Sequence, residues 1–544
     1  MSTTVRTLAF ASFGILLLGA TALPLGAQAP TTEHVKDLLA QVAQQGGAKP
    51  AAPTPGLVEQ AGPRVDLTVD DAVKRAMDRN LTIASQRLTP RTFDYALAAT
   101  WATYKPTLTS SYSDNSAKNR ASQTFEGGDI YTQATHAWNA GMTQNFRKGG
   151  GNVNATFTNS RLSTSQNNAT LNPNFSSALT ARYTQPLMRN FKLDNTRANL
   201  KTTQIQQEQA EIDLRATIAS TDAQVRNAYW ELVYAYQAVE AAQRSLDLST
   251  KLVQDNRSRV EIGTMAPIDI VQAQAEEATR KQQLVNAQAT LRNNELALKR
   301  LIVNGTEDEL WRATLNPVDR PAPPSVAEPL DVERALANAL QNRTDLLNTK
   351  KTIESSNVTI ESFKNQIRPQ LDMVTTYTLR GAGGTAFTYD RITGNVLTTT
   401  PGGYLNALRN ISGFDLPTWN VGFNFSMPIG TSAPQANLAR QRILLEQNQA
   451  TIKTTELQIA TDVTSAALAV RNTLESVQAA ATSRELSEKR LEAIQSKFEV
   501  GMSTNYEIVQ AQRDLNDARN SELRALLNYR KALVDFQRVQ VSPR

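Results

Sequence analysis

The chain has 544 residues, a net charge of +6 and no cysteine. Its acidic and basic side chains are interspersed, so the charge leaves no footprint of a nucleic-acid binder. The lack of cysteine excludes disulfides, thiolate metal sites and a lipidated N-terminal cysteine.

Residues 1–29 carry one cation, Arg6, and then an apolar run, LAFASFGILLLGATALPLGAQA, ending in small residues at Ala27 or Ala29. This is the pattern of a secretory signal peptide. The run is short, broken by Gly and Pro, and lacks a charged stop-transfer segment, which argues against an anchor. No other stretch reaches the ~18–20 apolar residues of a membrane helix. The mature chain is therefore either soluble beyond the inner membrane or a β-type membrane protein. Residues 30–63 are rich in Ala, Pro, Gly and Gln and read as a flexible lead-in.

The rest is one plan written twice, over 64–306 and 330–541, with a Pro-rich linker at 307–329. LTVDDAVKRAMDRN (67–80) recurs as LDVERALANALQNR (330–343), with Leu67/Leu330, Val69/Val332, Ala72/Ala335 and Ala76/Ala339 in step. Pro106 and Pro369 keep the same offset. Each is followed by an alternating run, TLTSSYS and QLDMVTTYT, in which Leu371, Met373, Thr375 and Tyr377 share a face. Before Pro186 and Pro428 lie SALTARYTQ and WNVGFNFSM. In the latter, Val421, Phe423, Phe425 and Met427 oppose Asn420, Gly422, Asn424 and Ser426. Such alternation over about ten residues is the signature of an outer-membrane barrel strand. A half-buried strand of a soluble sheet has the same period. Context favours the membrane, because the neighbouring helices are too long for a globule. Tyr112, Tyr183, Tyr377 and Trp419 would supply an interfacial aromatic girdle. Pro186 and Pro428 suit strand-to-helix junctions.

Between the strands of each pair lies a Gly/Asn/Thr/Ser-rich stretch, such as RGAGGTAFTYDRITGNVLTTTPGG, with the composition of a loop. The first repeat adds AWNAGMTQNF (137–146), RKGGGN and VNATFTNSRL (153–162), which read as a further hairpin. Trp138, Ala140 and Met142 alternate there with Asn139, Gly141 and Thr143. The hairpin either adds two strands to the barrel or projects above it.

Helical patterns follow from about Asn195 to Gly263 and from about Gln435 to Gly501. At ~1.5 Å per residue each helix would be on the order of 100 Å long. From Ile218, the residues Val225, Leu232, Val239, Leu246, Val253 and Val260 recur every seven, with Thr221, Ala228, Ala235, Ala242, Ser249 and Asn256 three places after each turn of the series. That seam imposes a left-handed supercoil, and its small residues let helices approach closely. The second repeat has Val463, Val470 and Val477, an interruption at Arg484, then Leu491 and Phe498. A filament-type coiled coil would explain the heptads but not the strands.

VEIGTMAPIDIVQAQ (260–274) returns as FEVGMSTNYEIVQAQ (498–512), so that Gly263 and Gly501 stand 238 positions apart. Gly is the residue expected just past a helix C-terminus. Thr264 and Ser503/Thr504 are placed to cap the helix that returns. Each repeat thus ends in an α-hairpin tip. A shared turn explains the Gly but not the recurring IVQAQ or the carboxylate six residues on, Asp269 and Glu507, which marks the tip as functional.

These features together resemble the TolC-like outer-membrane efflux proteins, the outer membrane factor family, over about residues 64–541. The motifs that carry the resemblance are the duplicated helix–strand–strand–long-helix–return-helix plan, TQPL leading into a long helix, and GTMAPIDIVQAQ with GMSTNYEIVQAQ. The resemblance implies a mixed α and β fold, a tandem-repeat protomer of a homotrimer. Four strands per copy give a shared outer-membrane β-barrel of twelve strands, or more if the extra hairpin joins it. That barrel continues into a long α-helical coiled-coil periplasmic barrel. It further implies a passive channel embedded in outer-membrane lipid and joined through a periplasmic adaptor to an inner-membrane RND or ABC transporter, without cofactor or catalytic residues. The tips, here Gly263, Thr264, Gly501, Met502 and Ser503, would meet the adaptor. The pore entrance would fall at Asp269, Glu507 and Gln510. The family's first acidic ring maps onto Glu507, whereas its second maps onto Gln510, so one carboxylate is kept and one is lost. Two other classes compete. An enzyme finds little support, with two histidines, His34 and His136, and no metal spacing or phosphate loop. A periplasmic coiled-coil adaptor or scaffold would have one hairpin, a lipoyl-like domain and an inner-membrane anchor, whereas this chain has two hairpins and membrane-type strands.

Overall fold

A computed structural model describes residues 63–121, 129–263, 266–320, 330–390, 395–430, 432–500 and 502–543. The signal peptide, nearly all of the lead-in, and two tip residues, Thr264 and Gly501, lie outside the described residues.

In each repeat a short helix and a medium helix run up to a proline. These are α1 (Val69–Arg79) and α2 (Leu81–Ala102), then α6 (Val332–Asn342) and α7 (Thr344–Gln366). The repeated Ala pairs, Ala72/Ala76 and Ala335/Ala339, are buried where these helices meet the long ones. Between α1 and α2, Asn80 accepts from the amides of Thr82 and Ile83 at 2.9 and 3.1 Å, an N-cap of the preferred type. Its counterpart Arg343 cannot cap in this way. It is buried and binds Asp462 at 2.6 Å and Asp345 at 3.1 Å instead.

The long helices are α3 (Asn195–Glu261) and α9 (Ala433–Glu499), each of 67 residues. The return helices are α4 (Pro267–Ile302) and α10 (Asn505–Arg538). The heptad seam is buried at Val225, Leu232 and Val253 and at the small positions Thr221, Ala235, Ser249 and Asn256. The interruption at Arg484 is an ion-pair site, with Glu522 at 2.7 Å and Glu488 at 2.8 Å. Among the described residues no helix is long and apolar enough to cross a membrane.

The described part of the linker, residues 307–320, carries regular structure. It forms a turn of helix, α5 (Glu309–Arg312), and a strand, β6 (Thr314–Pro317), which pairs in parallel with β1 (Arg64–Leu67). Its Asp319 accepts from Val69 N and from the hydroxyl of Tyr229, both at 2.8 Å, which ties the linker to α1 and α3.

The larger sheet contains β2 (Thr107–Arg120), β3 (Ile130–Asn145), β4 (Asn152–Thr164), β5 (Leu171–Pro186), β7 (Gln370–Tyr389), β8 (Val396–Thr400) and β9 (Pro417–Ser426). It runs β2-β3-β4-β5-β7 antiparallel, and the far edge of β7 holds both β9 and β8. β9 pairs with Gln370–Leu379 of β7 and β8 with its upper end, Ala386–Tyr389. Six strands therefore stand side by side, not the four of the simpler plan. The extra hairpin is β3–β4, inserted in the wall between β2 and β5. A second departure concerns the stretch with loop composition. β7 runs through it to Tyr389, β8 follows, and a helix, α8 (Tyr404–Ser412), folds back on the sheet.

Candidate functional site

Residues directly opposite one another across antiparallel strands share a face of the sheet. The registers give one face Leu108, Ala140, Met142, Val153, Ala155, Phe157, Leu179, Ala181, Leu371, Met373, Val421, Phe423 and Phe425. Tyr112, Trp138, Tyr183, Tyr377 and Trp419 lie on the same face. The opposite face is Thr109, Ser111, Asn139, Thr143, Asn154, Thr156, Thr180, Thr376, Thr378, Asn420 and Asn424, with Arg182, Arg380 and Asp372 as its charges. Side chains on this polar face bond across strands, as in Asn154–Thr143 at 2.7 Å and Thr180–Thr378 at 3.2 Å. Apolar on one face and polar on the other is the pattern of a wall between lipid and water.

α8 lies on the apolar side, above that band. Tyr404 meets the rings of Trp138 and Phe175 at 5.4 and 6.0 Å, and its hydroxyl donates to Asn159 at 2.9 Å. The helix fits because Gly381 has no side chain. A Cβ there would lie 1.9 Å from the carbonyl oxygen of Ala407.

At the other end of the molecule the tips are built from helix-end chemistry. α3 ends at Glu261, and Gly263 follows with φ +78°, its N–H bonded to Val260 O at 3.0 Å. A left-handed residue at this place satisfies the last carbonyls, and Gly adopts it without strain. α10 begins with a capping box. Thr504 accepts from Glu507 N at 3.4 Å while Glu507 Oε2 accepts from Thr504 N at 3.3 Å and from the Ser503 hydroxyl. These bonds, with the Ser503 hydroxyl foremost, hold the Glu507 carboxyl below its ordinary pKa. α4 starts at Pro267, with Asp269 in its first turn and Ala266 at the N-cap position, which provides no side-chain cap. So the recurring carboxylate has a local reason in both repeats. It sits where helix amides and the macrodipole favour negative charge.

The three residues expected at the pore entrance do not form one cluster. Glu507 is exposed and committed to its cap. Gln510 donates to Asp514 at 2.9 Å, and Asp514 also takes Arg490 at 2.7 Å. Among the described residues the side chain of Asp269 bonds to neither. Met502 is exposed, as are Ile262, Ile268, Val500 and Tyr506 around it.

What joins the two tips is a group the sequence did not single out. Glu276 of α4, 4% exposed, receives Arg280 of its own helix at 2.7 Å and, from α10, both Nε (3.0 Å) and Nη2 of Arg513. Burial alone would push the Glu276 carboxyl up, but the Arg513 and Arg280 guanidiniums outweigh it and hold it below its ordinary value. Near the tips, Arg259 of α3 stacks over the ring of Phe498 of α9 at 4.6 Å. Each pairing is long-range, so only the assembled hairpins reveal it.

Comparison with known proteins agrees with this geometry. The family model for outer membrane efflux proteins matches residues 72–304 and 335–539. No curated protein sequence matches the chain. Among solved structures, the CmeC outer membrane channel of Campylobacter jejuni superposes with a TM-score of 0.62 at 14% identity, covering 87% of this chain and 85% of that one. The outer membrane protein VceC of Vibrio cholerae gives 0.59 at 13% identity, over 87% and 96%. The open state of the MtrE outer membrane channel of Neisseria gonorrhoeae gives 0.56 at 16%, over 87% and 89%. At these identities the likeness establishes the fold. The family match spans both repeats: the chain belongs to the outer membrane efflux protein family.

Proposed function

We propose that the chain forms the outer-membrane exit duct of a tripartite efflux or type I secretion machine. Three copies enclose a water-filled route, and an RND or ABC transporter in the inner membrane supplies the energy through a periplasmic adaptor. The duct performs no chemistry and needs no cofactor. The observation that carries this reading is the union, in one protomer, of a two-faced sheet with 67-residue helices ending in two exposed tips. Ile262, Ile268, Val500, Met502 and Tyr506 give those tips an apolar surface for the adaptor's hairpin. Asp269, Glu507 and Gln510 stand near the entrance, and threefold repetition would bring three Glu507 carboxylates towards one axis. Opening separates the hairpins about Gly263 and Gly501, after the Glu276–Arg513 contact is released.

The test is imaging of the detergent-extracted protein together with planar-bilayer recording. A tapered threefold tube with stepwise conductance is expected. A monomeric or dimeric rod without conductance would overturn the proposal.

A further inference from the structure

We infer that the barrel built from this chain has eighteen strands, six from each of three copies. The inference rests on the trimeric duct proposed above and goes beyond it, because it fixes the wall of the pore.

The inserted hairpin crosses the full height of the sheet. β2 pairs with β3 from Thr107↔Thr143 up to Arg120↔Ile130 without a break, and β4 pairs with β5 from Asn152↔Thr184 to Leu162↔Asn174. Its turn lies at the periplasmic end. Arg147 stacks on Trp101 of α2 at 4.6 Å, and Gly149 O accepts from Gln185 at 2.8 Å, next to the junction where β5 gives way to α3. A hairpin projecting outside the cell would have its turn at the other end. Its two faces also continue those of the wall. Trp138, Ala140, Met142, Val153, Ala155 and Phe157 extend the lipid band, and Asn139, Thr143, Asn154, Thr156 and Thr158 extend the polar lining.

The sheet then ends in two open edges, β2 and β9, and both strands are exposed almost throughout. A bilayer does not tolerate unpaired backbone groups, so these edges require a partner strand. Apart from Lys118 and Arg120 at the top of β2 and Pro417 at the first position of β9, neither strand has the Lys or Pro that blunts a free edge in water. The occupant is a second copy, β9 of one protomer against β2 of the next. At ~4.8 Å between strands and ~40° of tilt, eighteen strands make a backbone cylinder about 35 Å across, against about 24 Å for twelve. The added lining is uncharged, so the six strands of each copy contribute Arg182, Arg380 and Asp372 as the only charges on the lumen face of the described wall. Such a bore passes bulky hydrated cargo and leaves selection by size to the helical tips.

The chain has no cysteine, so single cysteines report position directly. In native outer membranes, Thr156→Cys and Asn154→Cys should react with a hydrophilic thiol reagent. Ala155→Cys and Phe157→Cys should react at least tenfold more slowly. Equal labelling along β4 from outside the cell would place the hairpin above the membrane and overturn the inference. Strand counting in a nanodisc-embedded trimer separates the two claims. Eighteen strands support both. A threefold tube with twelve strands removes only the wider barrel, and the absence of a trimer removes the duct itself.

Discussion

Glu276 and Arg513 lie 237 positions apart in the chain and meet at 3.0 Å between the two return helices. One carboxylate oxygen serves Arg513 of α10 and the other Arg280 of α4, so the acid is the shared member. Removing one partner of a buried pair costs about 3–5 kcal/mol. Glu276→Gln strips the charge that both guanidiniums address and approaches that figure. Arg513→Ala leaves Arg280 in place, and Arg513 is half exposed, so its loss costs only about 1 kcal/mol. In planar bilayers both variants should open more often than the parent, Glu276→Gln the more strongly and Arg513→Ala about fivefold. Unchanged opening in Glu276→Gln would remove the pair from gating and leave it a packing contact.

The same contact sets a pH dependence. The Glu276 carboxyl is held below its ordinary value, because the Arg513 and Arg280 guanidiniums outweigh the effect of burial. A depressed carboxyl contributes stability above its unfolded pKa and loses it as pH falls through the folded one. The closed tips should therefore be insensitive to pH between about 5 and 7 and loosen only below about 4. Conductance recorded across that range checks it, and opening already at pH 6 would point to another group.

The long helices were legible because a seven-residue period repeated over six heptads, from Ile218 to Val260, admits one reading, and it returns less cleanly in the second repeat. Thr504 and Gly263 act as caps because the physics of helix ends is local. Thr264 lies outside the described residues, and Ala266 holds the N-cap position of α4. Gly381 and Gly383 misled for a physical reason. Glycine signals a loop when read by composition, yet here it sits in a strand because the backbone of α8 presses against it. The strand β6 was hidden because four residues ending in proline carry no period, and its partner β1 lies about 250 positions away. Glu276 was missed because a charged residue on a long helix looks like any solvated one until the second hairpin is set beside it.

Glu507 has two roles to separate, the cap and the charge. Gln is competent at the third position of a capping box, whereas Ala is not. Glu507→Gln should keep the thermal stability of the parent but weaken block by divalent cations in bilayer recordings. Glu507→Ala should lose the block and also melt at a lower temperature than the parent, because its side of the capping box is gone. If cation block is the same in the parent and both variants, the carboxylate is a cap and not part of the entrance.

The seat of α8 gives a test in which two nearby glycines behave differently. A Cβ on Gly381 would stand 1.9 Å from Ala407 O, against an ordinary contact of ~3.5 Å. Neither backbone has a flexible end to move, so Gly381→Ala must lift α8 by more than an ångström. That breaks the Tyr404 contacts with Trp138, Phe175 and Asn159 together. Gly403, at the start of the same helix, has extended backbone and nothing within 4 Å of where its Cβ would be. Gly403→Ala should therefore be silent. Trypsin added to intact cells reports the difference at Arg409, which α8 carries near its C-terminal end. Cleavage should be at least tenfold faster in Gly381→Ala and unchanged in Gly403→Ala. Equal cleavage in both would mean that α8 is not seated on the strand in the membrane, and that Gly381 serves the sheet alone.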